Sequence, residues 1–158
     1  MEAAARHRNG DELELEIDAL AQGGRGVGRA NGYVVFVAGG LPGDRVRARL
    51  VRAKRAFAEA KATEILRPSS ERIVEACVHE GEPCPGAAWQ ALPYERQLEH
   101  KHEQVAEALS RLGGFGGLEI DPIEPAVDQW RYRNKLEYSF GPRENAVALG
   151  FHRRGSWS

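Results

Sequence analysis

Glu12-Leu13-Glu14-Leu15-Glu16-Ile17 alternates charged and apolar residues without a break, as a strand with one wet face and one dry face must. Further along, Arg45-Val46-Arg47-Ala48-Arg49-Leu50 repeats the alternation with arginine on the outward positions. Between the two, Gly23-Gly24-Arg25-Gly26-Val27-Gly28 reads as a tight inter-strand turn. Asn31-Gly32 leads into the β-branched and aromatic run Tyr33-Val34-Val35-Phe36-Val37, and Gly39-Gly40-Leu41-Pro42-Gly43-Asp44 is a turn cluster. Phe57-Ala58-Glu59-Ala60-Lys61-Ala62 alternates less cleanly and runs into Thr63-Glu64-Ile65-Leu66, and Pro68-Ser69-Ser70 closes the unit. Short strands broken by turns every 8–12 residues or so predict a small barrel or sandwich. Residues 11–68 suit a five-stranded OB-like β-barrel.

Beyond the barrel the period changes. Tyr94, Leu98, Val105, Leu109 and Leu112 fall on one helical stripe with glutamates around the other side, and Gly113-Gly114 supplies a stop. After Pro122 and Pro125, Tyr132, Leu136, Tyr138 and Phe140 share one face of an expected strand, and Arg131, Arg133 and Lys135 share the other. Gly141-Pro142-Arg143-Glu144-Asn145 reads as a hairpin turn, and Val147, Leu149 and Phe151 continue the alternation. The expected fold is mixed α+β: a barrel, then a helix, then a β-hairpin. The expected divisions are 11–68 for the barrel, 69–90 for a cysteine-containing loop, and 91–158 for the helix and the start of an incomplete second domain. An isolated hairpin is marginal in water.

The formal net charge of −1 conceals a strong asymmetry. Residues 20–69 carry ten basic groups against three acidic ones, and residues 130–158 carry six against two. The intervening residues 70–129 carry four against twelve. Two basic surfaces separated by an acidic one suggest a polyanionic partner. No apolar run approaches the ~20 residues of a membrane helix, and the start has no signal-peptide core. A cytoplasmic protein with reduced thiols is expected.

Candidate chemistry is sparse. The glycine run lacks the Gly-Lys-Ser/Thr ending of a phosphate loop, and no helix follows it. Tyr33, Phe36 and Phe57 are candidate stacking rings, and each suits the core equally well. Cys77 and Cys84, with His79 nearby, place two thiols with six residues between them, whereas closed zinc or iron–sulfur sites take four ligands.

Taken together these segments resemble the N-terminal part of the S-adenosylmethionine-dependent RNA uracil-C5 methyltransferases. Residues Ala21–Arg29, Gly32–Val37 and Leu41–Val46 look like a TRAM domain. Cys77…Cys84-Pro85-Gly86-Ala87-Ala88-Trp89-Gln90-Ala91-Leu92-Pro93-Tyr94 is similar to the family's cluster loop and following helix. Trp130-Arg131-Tyr132-Arg133-Asn134-Lys135 and Leu149-Gly150-Phe151-His152-Arg153-Arg154-Gly155-Ser156 resemble the start of its central RNA-contacting domain.

The resemblance implies a transferase in which a cysteine thiolate adds to C6 of uracil and C5 attacks the donor methyl. S-adenosylmethionine, the nucleophile and the base would belong to a C-terminal domain absent from this chain, so the fragment alone is expected to be inactive. Cys77 and Cys84 match the first two cluster positions, but Ala87 stands at the third. A conventional four-cysteine [4Fe–4S] cluster is therefore not expected. Ribosomal or transfer RNA is the implied partner, with no DNA and no membrane, and a monomer is expected. The implied phosphate contacts are Arg25, Arg29, Arg45, Arg47, Lys54, Arg55 and Lys61 from the barrel, and Arg131, Arg133, Lys135, Arg153 and Arg154 from the second patch. Two other readings stay open: a stand-alone RNA-binding or chaperone protein, and a metal-binding module.

Overall fold

A computed structural model of the chain describes residues 7–79, 82–83, 86–143 and 146–151. The chain divides into two compact units, Met1–Ile123 and Glu124–Ser158.

Five strands of the first unit close into a barrel: β1 (Glu12–Leu20), β2 (Gly26–Ala30), β3 (Tyr33–Ala38), β4 (Arg45–Ala53) and β5 (Phe57–Arg67). Their order around the barrel is β1-β2-β3-β5-β4. All neighbours are antiparallel except β3 and β5, which run parallel with Val35 opposite Ala58 and Val37 opposite Ala60. The alternation read from the sequence is the cause. Leu15, Ile17, Val35, Val37, Val46, Ala48, Leu50, Ala58 and Ala60 point inward and are buried, while the intervening charged residues stay wet. Alanines at 48, 58 and 60 suit a barrel this narrow, since small residues across from large ones fill the taper. Leu50 sits opposite Ala60, for instance. Register shifts along β4 and β5, and one in β1 between Ile17 and Ala19, curve the strands enough to close. Each fully buried Ile, Val or Leu contributes about 1.5–3 kcal/mol. An exposed ion pair is worth about 0–1 kcal/mol. The core therefore holds the barrel, and the charges outside it have other consequences.

The glycine run is only half a turn. Ala21 and Arg25 close the turn through backbone hydrogen bonding, while Gly26 and Gly28 belong to β2. A Cβ on Gly26 would lie 2.6 Å from the Gly40 carbonyl oxygen, and one on Gly28 would fall on the Glu16 carbonyl oxygen. Close approach of backbone to backbone demands glycine there. Asn31 and Gly32, at φ 51° and 82°, form the two-residue turn between β2 and β3.

The segment after the barrel is pinned by a buried carboxylate. Asp44 is fully buried. Its Oδ2 accepts from the Leu41 amide at 2.7 Å and from Arg72 Nη2 at 2.6 Å. Its Oδ1 accepts from the Ser69 amide at 2.9 Å and from Arg72 Nε at 2.8 Å. Arg72 Nη2 also donates to the Gly39 carbonyl at 3.0 Å. A second small core of Leu20, Leu41, Ala91 and Leu92, flanked by Trp89, seats the chain against the barrel. The helix α1 (Tyr94–Arg111) follows, and its Gln104 donates to the Leu20 carbonyl at 3.1 Å. None of the helix residues is fully buried, and Val105 and Leu112 of the expected apolar stripe stay exposed. Two short strands, β6 (Val78–His79) and β7 (Glu82–Pro83), form a small ladder in the loop between.

In the second unit β8 (Ser139–Arg143) pairs antiparallel with β9 (Ala146–Gly150). The strand is shorter at its start than the alternation from Tyr132 suggests. Among the described residues β9 ends opposite Ser139, so residues 132–138 have no partner in the ladder. Gly141 and Pro142, read from the sequence as turn residues, lie within β8 opposite Ala148 and Val147. Trp130, Tyr132, Phe140, Val147, Leu149 and Phe151 are all exposed.

Replacing Asp44 by alanine leaves the Arg72 guanidinium without its carboxylate in a mostly buried setting. The expected cost is about 3–5 kcal/mol, as for other broken buried pairs. Urea unfolding of D44A should show a lower midpoint at unchanged slope, and an unchanged midpoint would refute the assignment.

Candidate nucleic-acid interface

The outward side chains of the barrel fall into two groups that differ in how their cations are paired. The first group spans β1, β4 and β5. Pairing sets Glu12 opposite Arg49, Glu14 opposite Arg47 and Glu16 opposite Arg45. The side chains then bond across the ladder. Arg47 donates to Glu14 at 2.9 Å and also pairs with Glu64, while Arg45 reaches Glu14 at 3.4 Å. Arg49 reaches Glu12 at 3.1 Å, and Arg67 reaches Glu16 at 2.8 Å. Hydrogen bonding from Arg47 holds the Glu14 carboxyl below its ordinary value, with further lowering from the Arg45 charge, and Glu14 raises Arg47 in turn. Arg45 and Arg47 are thus outward, as expected, and both are engaged by carboxylates of the same barrel. Lys61 lies on β5 opposite both Arg49 on β4 and Ala38 on β3.

The second group spans β2, β3 and β5. Here the outward positions carry Val27 and Arg29 on β2, Val34 and Phe36 on β3, and Phe57 and Glu59 on β5. Phe36 and Phe57 meet edge to face, with ring centroids 5.6 Å apart and planes at 85°. Lys54 Nζ lies 4.8 Å from the Phe57 centroid, a cation over a ring face. Arg25 pairs with Glu59 at 3.4 Å, and Arg29 faces Asp18 at 3.9 Å. Among the described residues Arg52, Lys54 and Arg55 have no carboxylate partner within ion-pair distance, and all three are exposed, Arg52 near the end of β4 and the other two in the β4–β5 turn.

Tyr33, read from the sequence as a stacking ring or a core residue, acts as a strap. Its hydroxyl sits between the carbonyls of Lys54, 2.6 Å away, and Phe57, 2.7 Å away, with its one proton shared between them. The ring packs partly on the core and stacks on His7 at 4.8 Å. Tyr33 therefore fixes the turn that presents Lys54 and Arg55 beside the phenylalanine pair. No periodicity marks such a strap, because the contact joins residues 21 and 24 positions apart.

The remaining candidates lie elsewhere. In the second unit Arg131, Arg133 and Lys135 are exposed. Arg133 lies 5.8 Å from the Tyr132 ring centroid, and Lys135 pairs with Glu137 at 2.9 Å. Arg153 and Arg154 lie outside the described residues, as does Cys84. Cys77 is half-buried, and its backbone is clasped by Gln90: the Cys77 amide donates to Gln90 Oε1 at 3.2 Å and Gln90 Nε2 donates to the Cys77 carbonyl at 2.5 Å. Ala87 offers no ligand atom at the third cluster position, so the donors here do not make a four-thiolate site. Among the described residues no three of His, Cys, Asp and Glu gather as a metal site would require, and no helix is long and apolar enough to cross a membrane.

Residues 6–63 match the TRAM domain model. The match covers the barrel strands up to the last third of β5. Similar curated proteins extend the likeness past the TRAM domain. A protein of Thermosynechococcus vestitus named as an RNA methyltransferase is 40% identical over 149 residues, 94% of this chain and 33% of that protein. RNA methyltransferases of Synechocystis and of Nitratidesulfovibrio vulgaris are 39% and 37% identical over similar spans. The chain thus spans about a third of the length of the curated relatives it matches.

The lowered Glu14 carboxyl carries a pH prediction. A carboxyl held below its unfolded value stabilises the fold above the unfolded pKa, about 4.3, and that stabilisation is lost as pH falls through the folded value. The urea midpoint of the wild-type protein should therefore drop more between about pH 5 and pH 3 than that of E14Q. Parallel curves for the two would remove Glu14 from the acid response.

Proposed function

We propose that this chain is the RNA-holding portion of a longer S-adenosylmethionine-dependent RNA methyltransferase that modifies C5 of uracil in ribosomal or transfer RNA. One observation carries the reading: the likeness to proteins named as RNA methyltransferases extends over 94% of the chain, past the end of the TRAM domain and into the second unit. A TRAM barrel borrowed by an unrelated protein would lose its likeness near residue 63. The motifs around Cys77–Tyr94 and Trp130–Lys135 support the uracil-C5 specificity.

The barrel suits the holding role. Catalysis on a base needs that base out of the stack, so the enzyme must grip the RNA away from the reacting atom. Cations along a strand surface supply grip on phosphates without regard to sequence. Arg25, Arg29, Lys54, Arg55 and Lys61 are the proposed barrel contacts, joined by Arg131, Arg133, Lys135, Arg153 and Arg154 in the second unit. Arg45 and Arg47 remain within reach of RNA only at the expense of their pairs with Glu14 and Glu64. Methyl transfer from S-adenosylmethionine would be carried out by the part of the longer protein to which this chain does not correspond.

Two measurements test the proposal together. Deleting the gene should remove 5-methyluridine from one position of ribosomal or transfer RNA, read by nucleoside mass spectrometry, and unchanged modification would sink the enzymatic assignment. The purified chain should bind RNA with a log–log salt slope of roughly −0.7 per phosphate engaged on a single strand. A flat salt response would sink the role of the cations.

A further inference from the structure

The barrel carries far more arginine than its free charge suggests. On the β1–β4–β5 face Arg45, Arg47, Arg49 and Arg67 confront Glu12, Glu14, Glu16 and Glu64, so these arginines and glutamates balance one for one, with Lys61 beside them. A phosphate approaching that face gains little, because each guanidinium is already hydrogen-bonded and its nearest neighbour is negative. The β2–β3–β5 face is built differently. Two half-buried aromatic rings stand there, Arg25 and Arg29 border them with contacts of 3.4 and 3.9 Å to Glu59 and Asp18, and the exposed cations Arg52, Lys54 and Arg55 stand at the end.

Outward aromatics on a barrel need a reason. Phe36 and Phe57 could be replaced by threonine without disturbing the inward residues, which lie at Val35, Val37, Ala58 and Ala60. The pair is also braced: Phe57 presents an edge to Phe36 or the reverse, and Tyr33 holds the adjoining turn through two carbonyls. A ring braced beside unbalanced cations matches the chemistry of an unpaired nucleotide, whose base stacks on the ring while its phosphate meets a cation. A duplex hides its base faces and would find no use for the rings.

Resting on the RNA-holding reading above, we propose that the β2–β3–β5 face binds unpaired RNA. Phe36 is the ring on which a base stacks, Phe57 is its edge-to-face support, and Lys54 and Arg55 take the adjoining phosphates. The arginine–glutamate ladder of β1, β4 and β5 takes no part.

The test uses the full 158-residue chain and fluorescence anisotropy with a mixed-sequence single-stranded RNA of about twelve nucleotides, alongside the same sequence as an RNA duplex. F36L keeps apolar volume and removes the ring, and it should weaken single-strand binding about 5-fold or more. F36Y should bind within about twofold of wild type, because it restores the π-face. K54A should flatten the salt slope by roughly 0.7, the loss of one phosphate contact. The charge-neutral double variant E14Q/R47Q should leave single-strand affinity within about twofold. Thermal melts of each variant certify the fold.

The proposal is overturned if wild-type protein prefers the duplex, if F36L and F36Y weaken binding equally, or if E14Q/R47Q costs more than F36L. Those results leave RNA binding intact and move it to another face. Absence of binding to either RNA by wild-type protein is a different failure, and it overturns the RNA-holding reading itself.

Discussion

The Asp44 carboxylate is the constraint on which the arrangement of the first unit depends. It lies at the end of the Leu41-Pro42-Gly43-Asp44 turn, fully removed from water, and such a charge survives only when every lone pair is occupied. Four donors meet it, two from the Arg72 guanidinium and two from backbone amides. One of those amides belongs to the turn itself, and the other belongs to Ser69, beyond the end of β5. The same carboxylate therefore shapes the entry to β4 and fastens the chain after the barrel. From there Ile73 pairs its amide with the Ala91 carbonyl, and Ala91 and Leu92 close the second core over Leu20 and Leu41. A burial cost of several kcal/mol on each ion is offset only because the geometry is bidentate and complete.

The electrostatics outside the barrel obey a different balance. Ion pairs at 37–65% exposure contribute little stability, so the ladder of β1 and β4 does not hold the strands together. What it changes is the field. Four arginines that look like a phosphate grip in the primary structure are set against four glutamates once register is imposed. Three of the glutamates come from β1, more than thirty positions away in the chain, and the fourth, Glu64, from β5. Regional charge counts see the ten basic groups of residues 20–69 and miss this, because the neutralising carboxylates of β1 fall in the previous segment.

That contrast marks how far the primary structure can be read. The strand alternations of residues 12–17, 45–50 and 57–62 were legible because a half-buried strand writes its period directly into the sequence. Closure was not legible in the same way: the parallel pairing of β3 with β5 and the glycines of β2 depend on backbones meeting across the barrel. Asn31-Gly32 carried a clear hairpin signal that the adjacent aromatic run overshadowed. Around the candidate interface, Lys54 and Arg55 were visible as cations and Phe57 as an aromatic. Their convergence was not visible, because it is made by the Tyr33 hydroxyl and by an edge-to-face contact with Phe36. In the second unit the alternating residues from Tyr132 followed strand grammar, but the short reach of β9 among the described residues left most of them outside the ladder.

Barrel closure has one more consequence. With β1 bonded to both β2 and β4, and β5 bonded to both β3 and β4, each of the five strands has a neighbour on both sides. The two-stranded ladder of β8 and β9 is the reverse case: among the described residues both of its outer rows are open, and Phe140, Val147 and Leu149 stand beside them in water.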